Sequence, residues 1–210
     1  MTLTIVNKIA ECDDGKPRER LLSAIRGLTF HRCQFEAPYK AASSAADLAR
    51  GFRDMSMPSA PGSYTGGEMP YSLVVLPGGR VEQALEISDV GPHARRWNIP
   101  TIGVCALGDF RKHNPGHMQW AAALDLCAWL SVWLGAHPKT AVMGHDERPG
   151  ATASPGKRCP GVRWPMELFR RESEARYAGI LANLSLNGEL PHGTVKLRAE
   201  KFLKERGLVF

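Results

Sequence analysis

The chain has 210 residues, 43% of them hydrophobic, enough for one sizeable core, so one domain with or without an appendage is expected. Twenty-seven lysines and arginines against 21 aspartates and glutamates give a net charge of +6 and a pI near 9.2, favouring polyanionic partners: nucleic acid, an acidic membrane surface or an acidic cell-wall polymer. An odd set of five cysteines excludes a disulfide framework, and the most apolar run, 120–134, is too short for a membrane span and carries Asp125. No apolar stretch follows a basic N-terminus, so we expect no signal peptide and synthesis in a reducing cytoplasm.

In chain order, residues 2–10 read as a short edge strand and 17–25 as a short helix or turn that Gly27 breaks. Residues 28–33, Leu-Thr-Phe-His-Arg-Cys, read as a strand. Ser44 and Asp47 have the spacing of a capping box, and Ala45, Leu48, Ala49 and Phe52 follow the i, i+3, i+4, i+7 pattern of a helix that packs on the sheet. Residues 55–70 collect prolines, glycines and serines and read as a long loop, a common rim for a site. From Tyr71 a β-hairpin is expected, turning on Gly78-Gly79.

Residues 86–99 form a connection containing His93 and Trp97, and 100–107 suit a buried strand. Residues 116–134 are apolar on nearly every side, as in a helix buried against a sheet, and Gly135 ends it. A strand at 140–143 delivers His145, and a Gly/Pro-rich loop follows to Gly161. Pro165 opens a helix to 177; 190–193 read as a turn and 196–207 as a weak basic helix. This order implies a single α/β domain whose central mixed sheet is flanked by helices on both faces. We expect an N-terminal lead-in at 1–23, a catalytic domain at 24–175 and a C-terminal extension at 176–210.

The segment 141–161 brings an imidazole, His145, and a thiol, Cys159, together through one loop. Zn²⁺ accepts both donor types, and in catalytic sites it keeps three protein ligands and one open position. The best third donor is His31, because it stands in a strand. No second Cys or His lies two to five residues from Cys159, so the paired spacing of a structural zinc site is absent.

With their surroundings these residues resemble the type 2 N-acetylmuramoyl-L-alanine amidases, a group that includes phage lysozyme-type amidases and peptidoglycan recognition proteins. The resemblance runs collinearly through about residues 24–165: Thr-Phe-His31-Arg-Cys, Tyr71 before the hairpin, Val90-Gly-Pro-His93-Ala with Asn98 and Ile102-Gly-Val, Gly108-Asp-Phe with Gln119, Met-Gly-His145, and Lys157-Arg-Cys159-Pro-Gly. It implies zinc held by His31, His145 and Cys159, with Tyr71 and Lys157 catalytic. It places His93 near the cleft, either as a site-lining hydrogen-bond donor in contact with substrate or as a structural residue. Glu82 and Asp146 are candidates to accept from the N–H groups of metal-bound imidazoles, but the solvated surface is favoured for both. Ser72 stands where the family commonly has His, and the hairpin turn reads Pro-Gly-Gly rather than Asp-Gly.

The implied activity is hydrolysis of the amide between N-acetylmuramic acid and L-alanine in peptidoglycan or a muropeptide. A lytic, endolysin-like enzyme acting on the cell wall is favoured. The branch that recycles muropeptides in the cytoplasm uses Asp rather than Cys as third ligand, and a non-catalytic peptidoglycan-binding module on this fold would lack the full ligand set. No nucleic-acid recognition motif is present, so nucleic acid is not expected as a partner. The sequence carries no reading of oligomeric state.

Overall fold

The computed structural model describes residues 3–12, 19–32, 43–54, 69–150, 158–185 and 192–210. Among the described residues there are six short strands: β1 (Ile5–Asn7), β2 (Gly27–Arg32), β3 (Leu73–Val75), β4 (Val81–Gln83), β5 (Thr101–Ala106) and β6 (Val142–Gly144). They form one sheet in the order β1-β4-β3-β5-β2-β6. The neighbours β3/β5, β5/β2 and β2/β6 are parallel, while β4 is antiparallel to β3 and parallel to β1, so the sheet is mixed as expected. The hairpin forms where Gly78-Gly79 places it: the Leu76 amide donates to Arg80 O at 2.9 Å and Gly79 takes a φ of +81°.

Helices α1 (Ile9–Cys12), α2 (Ala45–Asp54), α3 (His117–Leu134), α4 (Pro138–Ala141), α5 (Met166–Leu184) and α6 (His192–Glu205) surround the sheet. The Asp47 amide donates to Ser44 Oγ at 3.1 Å, and α2 lays Ala45, Leu48, Ala49 and Phe52 against Val74, Leu76, Ala84 and Cys105 on one face. On the other face Leu28, Phe30, Leu73, Val75, Ile102 and Val104 meet Ala123, Leu126, Cys127 and Leu130 of α3. The period of two in a strand produces this division: along β2 and β5 alternate residues join the large core and the rest face the opposite side.

The all-round apolarity of α3 has a fuller cause than burial against a sheet. α3 contacts the sheet on one side and α5 and α6 on the other. Trp129 stacks on Phe202 of α6 with ring centroids 3.6 Å apart, and Trp120 Nε1 donates to Glu172 of α5 at 2.7 Å. The boundary expected at 175 falls inside α5, and residues 192–210 complete the packing around α3. The end of the chain also reaches the sheet: Gln83 on β4 bonds both backbone groups of Val209, and the Ile5 amide donates to Arg206 O at 2.9 Å.

Four local expectations change. The edge strand read at 2–10 is confined to Ile5–Asn7, and Ile9–Cys12 forms a helical turn. Residues 140–141 belong to a helical turn, because Pro138 fixes the first helical position and His137 caps it, so the strand carrying His145 begins at Val142. The helix opened by Pro165 continues to Leu184, and residues 192–193, read as turn, start α6. Cys33, the loop at 55–68, residues 151–157 with Lys157, and residues 190–191 lie outside the described residues.

Candidate metal centre

The candidate site is built on the face of β2 that Thr29 and His31 occupy, opposite Leu28 and Phe30. Phe30 is locked from behind by Trp164 and Phe169, at ring distances of 4.9 and 5.0 Å, which fixes the strand that carries His31. His145 follows β6 directly, in a 3₁₀ turn (His145–Glu147). There Glu147 accepts from the Gly144 amide at 2.8 Å and from Arg170 of α5 at 2.6 Å. Cys159 returns from the loop and is held by its backbone: the Asp146 amide donates to Cys159 O at 3.1 Å, and Arg32 Nε donates to Arg158 O at 3.3 Å.

The three residues converge. The ligand atoms of His31, His145 and Cys159 all lie within 4.8 Å of one another, and among the described residues this is the one such cluster. Cys159 Sγ is 3.7 Å from His31 Nδ1. A tetrahedral zinc with bonds of about 2.3 Å to sulfur and 2.0 Å to nitrogen needs those atoms roughly 3.5 Å apart, so the pair needs only a few tenths of an ångström of adjustment. Burial holds the His31 and His145 imidazoles well toward their neutral, lone-pair-bearing form, and pushes the Cys159 thiol up to about 11. Metal binding at neutral pH therefore displaces a thiol proton. Geometry and donor chemistry both fit a three-ligand metal centre.

Tyr71, just before β3, stands beside the cluster with its ring 5.1 Å from that of His31, and Phe52 of α2 flanks it at 6.1 Å. His93 is buried beneath the site rather than lining it. Its Nδ1 lies 3.1 Å from His31 Nε2 and its Nε2 3.2 Å from the Thr101 carbonyl, so both ring nitrogens have partners inside the protein. Lys157 is outside the described residues. Glu82 is fully buried, not solvated: it accepts from the Ala45 amide at 2.6 Å, satisfying the N-terminus of α2, and pairs with Arg80 at 2.8 Å. Asp146 is half-buried and reaches Cys159 through its backbone.

Several supports of the site carry no signal in the sequence. Arg148 is buried with its guanidinium fully engaged: Nε donates to Thr29 Oγ1 at 3.0 Å, Nη2 to Leu28 O at 2.7 Å, and the group lies 4.8 Å over Trp97. It ties the turn after His145 to β2. Arg20 donates to the carbonyls of Ile87, Asn98, Ile99 and Thr101, clamping the 86–101 connection that carries His93. Arg32 is 1% exposed at its side chain and pairs with Asp109 at 3.2 Å. An Arg with no partner at helix or strand spacing reads as surface charge, and only three-dimensional proximity gives these three their partners.

Comparison with known proteins places this geometry. The family model described as N-acetylmuramoyl-L-alanine amidase matches residues 22–162, more than half of the chain. A peptidoglycan-recognition protein of Drosophila melanogaster is 29% identical over 101 residues, a span covering 48% of this chain and 52% of that protein, so the chain matches about half of this relative's length. Among solved structures, N-acetylmuramoyl-L-alanine amidase LysC from Clostridium intestinale is similar with a TM-score of 0.59 at 14% identity, covering 81% of this chain and 97% of that one. Peptidoglycan recognition protein LE, solved with tracheal cytotoxin, a monomeric diaminopimelic acid-type peptidoglycan, gives 0.58 at 17% identity, covering 79% and 92%. At these identities the solved structures establish a shared fold.

Proposed function

The chain belongs to the N-acetylmuramoyl-L-alanine amidase family, and on that premise we propose that it is a zinc-dependent hydrolase. The bond cut is the amide joining the lactyl group of N-acetylmuramic acid to L-alanine of the stem peptide. The observation that carries this reading is the convergence of His31, His145 and Cys159 into a three-ligand cluster with Tyr71 beside it.

Zinc bound there supplies a water nucleophile at neutral pH and polarises the scissile carbonyl. The chain's own residues do the rest. His31, His145 and Cys159 would hold the ion. Tyr71, at the edge of the cluster, donates its phenolic O–H to the oxygen that gains charge as the carbonyl becomes tetrahedral. Lys157, two residues before Cys159, is a second donor to that oxygen or to the departing amine. One preorganised donor of this kind is worth about 3 kcal/mol of transition-state stabilisation. Beneath the site Arg148 ties the turn after His145 to β2, and Arg20 clamps the 86–101 connection.

A thiol as third ligand favours a lytic, endolysin-like role over muropeptide recycling, and the basic surface suits an acidic wall polymer. The relative bound to a muropeptide supports a muropeptide as ligand. The test is the bond cut. Peptidoglycan digested by the zinc-loaded protein should release α-amino groups belonging to L-alanine and no new reducing ends, read by end-group labelling and mass spectrometry. New reducing ends, or amino termini from further along the stem, would make it a different hydrolase. Binding without release would make it a recognition module.

A further inference from the structure

Behind the candidate ligands runs a hydrogen-bonded line whose direction can be worked out. The Thr101 carbonyl can only accept, so His93 Nε2, 3.2 Å away, donates to it. Arg20 Nη1 donates to the same carbonyl at 2.6 Å, and a second positive charge beside that guanidinium, in a region without solvent, is unfavourable; the His93 ring is neutral. Its one proton is on Nε2, so Nδ1 carries a lone pair and accepts. Across the 3.1 Å contact the donor must then be His31 Nε2. That puts the single proton of His31 on Nε2 and leaves Nδ1, the atom facing Cys159 Sγ at 3.7 Å, as the free lone pair.

The seat of His93 is also built. Gly103 on β5 lies under the ring, and a Cβ at this position would come within 2.8 Å of His93 Cγ and Cδ2. Real Cβ atoms do not approach so closely, so any larger residue here displaces the ring. The need is for space rather than for an unusual backbone conformation.

Resting on the reading of His31, His145 and Cys159 as a metal centre, we propose that His93 is its positioning residue. It fixes the tautomer and ring orientation of His31 so that Nδ1 is presented to the ion, and Gly103 is bare to admit it. Thr101 and Arg20 anchor the far end of the line. His93 thus acts through His31 and makes no substrate contact. Partners of this kind around metal-bound histidines change metal affinity by about 10–100-fold when removed.

The first measurement needs no metal and no mutation: long-range ¹H–¹⁵N spectra of ring nitrogens in the metal-free full chain, with His31 and His93 assigned. Both should be Nε2–H tautomers. His93→Phe keeps a ring but removes both bonds, and Gly103→Ala pushes the ring from its seat. Each should weaken zinc about 10–100-fold in chelator competition and release His31 to a tautomer mixture, while the metal-free protein keeps its circular dichroism. His93→Gln, which offers an acceptor to His31 and a donor to Thr101, should stay within a few-fold of wild type. An Nδ1–H tautomer at His31 in the metal-free wild type, or wild-type zinc affinity in folded His93→Phe, would overturn the proposal while leaving the metal centre standing. A wild-type chain that takes up no zinc would instead remove the metal centre on which the proposal rests.

Discussion

Replacing Gln83 by leucine tests whether the last residues of the chain belong to the domain. Gln83 is fully buried on β4, and its side chain makes three bonds: Nε2 donates to Leu85 O at 2.9 Å and Val209 O at 2.6 Å, and Oε1 accepts from the Val209 amide at 2.7 Å. Leucine keeps much of the volume and removes all three. At about 1 kcal/mol net per bond the loss is about 3 kcal/mol if the tail stays in place, its Val209 amide unpaired and its carbonyl keeping only the Ile87 amide. If the tail frays instead, Val209 regains water but Leu208, 3% exposed, leaves the core, at a cost of about 2 kcal/mol. The two routes are alternatives, so the expected destabilisation is about 2–3 kcal/mol. Urea denaturation measures it, and amide exchange at Ile87, which donates to Val209 O at 3.3 Å, should quicken. Zinc affinity and turnover should hold, because β3 and β5 separate β4 from β2. A loss below about 0.5 kcal/mol, the range of ordinary surface substitutions, would show that the tail rests on the sheet without supporting it.

Cys159→Ser should abolish zinc binding and activity, whereas Cys159→Asp should keep part of both, since carboxylate is a natural zinc ligand; elemental analysis after dialysis reads this, and zinc retained by the serine variant would assign the wrong thiol. Chelation of the wild type should lower its melting temperature, because a metal held only by the folded chain adds to stability. Tyr71→Phe and Lys157→Ala should hold zinc yet turn over roughly a hundredfold more slowly, and wild-type rates in either would remove that residue from the mechanism. Asp109 is held down to about 2, first by its side-chain hydrogen bond with Arg111 and also by Arg32. A folded value below the unfolded one adds stability that is complete above about pH 5 and lost as pH falls toward 2, about 1 kcal/mol after solvent screening of this surface group. Asp109→Asn should lose that amount at pH 7 and show a flatter acid limb; parallel wild-type and variant curves would exclude this role.

The difference between what was legible in the chain and what was not has a physical basis. Strand β2, the hairpin and α3 are local objects: their signals are periodicity, a glycine pair and a run of apolar residues, and they stand where the sequence places them. The split at 175 fails to capture how α3 is covered. A helix apolar on every side needs partners on every side, and the sheet supplies only one; Phe202 and Phe210 cover Trp129 and Trp133 on another. The site divides in the same manner. His31, His145 and Cys159 were legible because their chemistry resides in the side-chain type. The groups that hold them are backbone carbonyls, two threonine hydroxyls, a glycine and buried arginines, residue types with no intrinsic preference for a metal centre.

The hydroxyls show how much order these ordinary groups impose. Arg148 Nε can only donate, so Thr29 Oγ1 accepts from it; the Trp97 carbonyl can only accept and takes the one proton of Thr101 Oγ1, so across the 2.8 Å between the strands Thr29 Oγ1 donates to Thr101 Oγ1. Thr101 Oγ1 then donates to Trp97 O at 2.5 Å. One proton per hydroxyl permits a single direction of bonding, from the turn after His145, through β2 and β5, into the connection that carries His93. Serine could copy the bonds but not the methyl packing, and valine could copy the packing but not the bonds. Along β2 the alternation Leu28-Thr29-Phe30-His31 therefore separates two kinds of consequence. Truncating Leu28 or Phe30 opens a cavity against α3 and α5 and lowers stability by about 2–5 kcal/mol. Changing Thr29 opens no cavity in that core, but it leaves the buried Arg148 Nε–H without its acceptor and breaks the one-directional chain under the candidate metal centre, so it should lower both metal affinity and melting temperature.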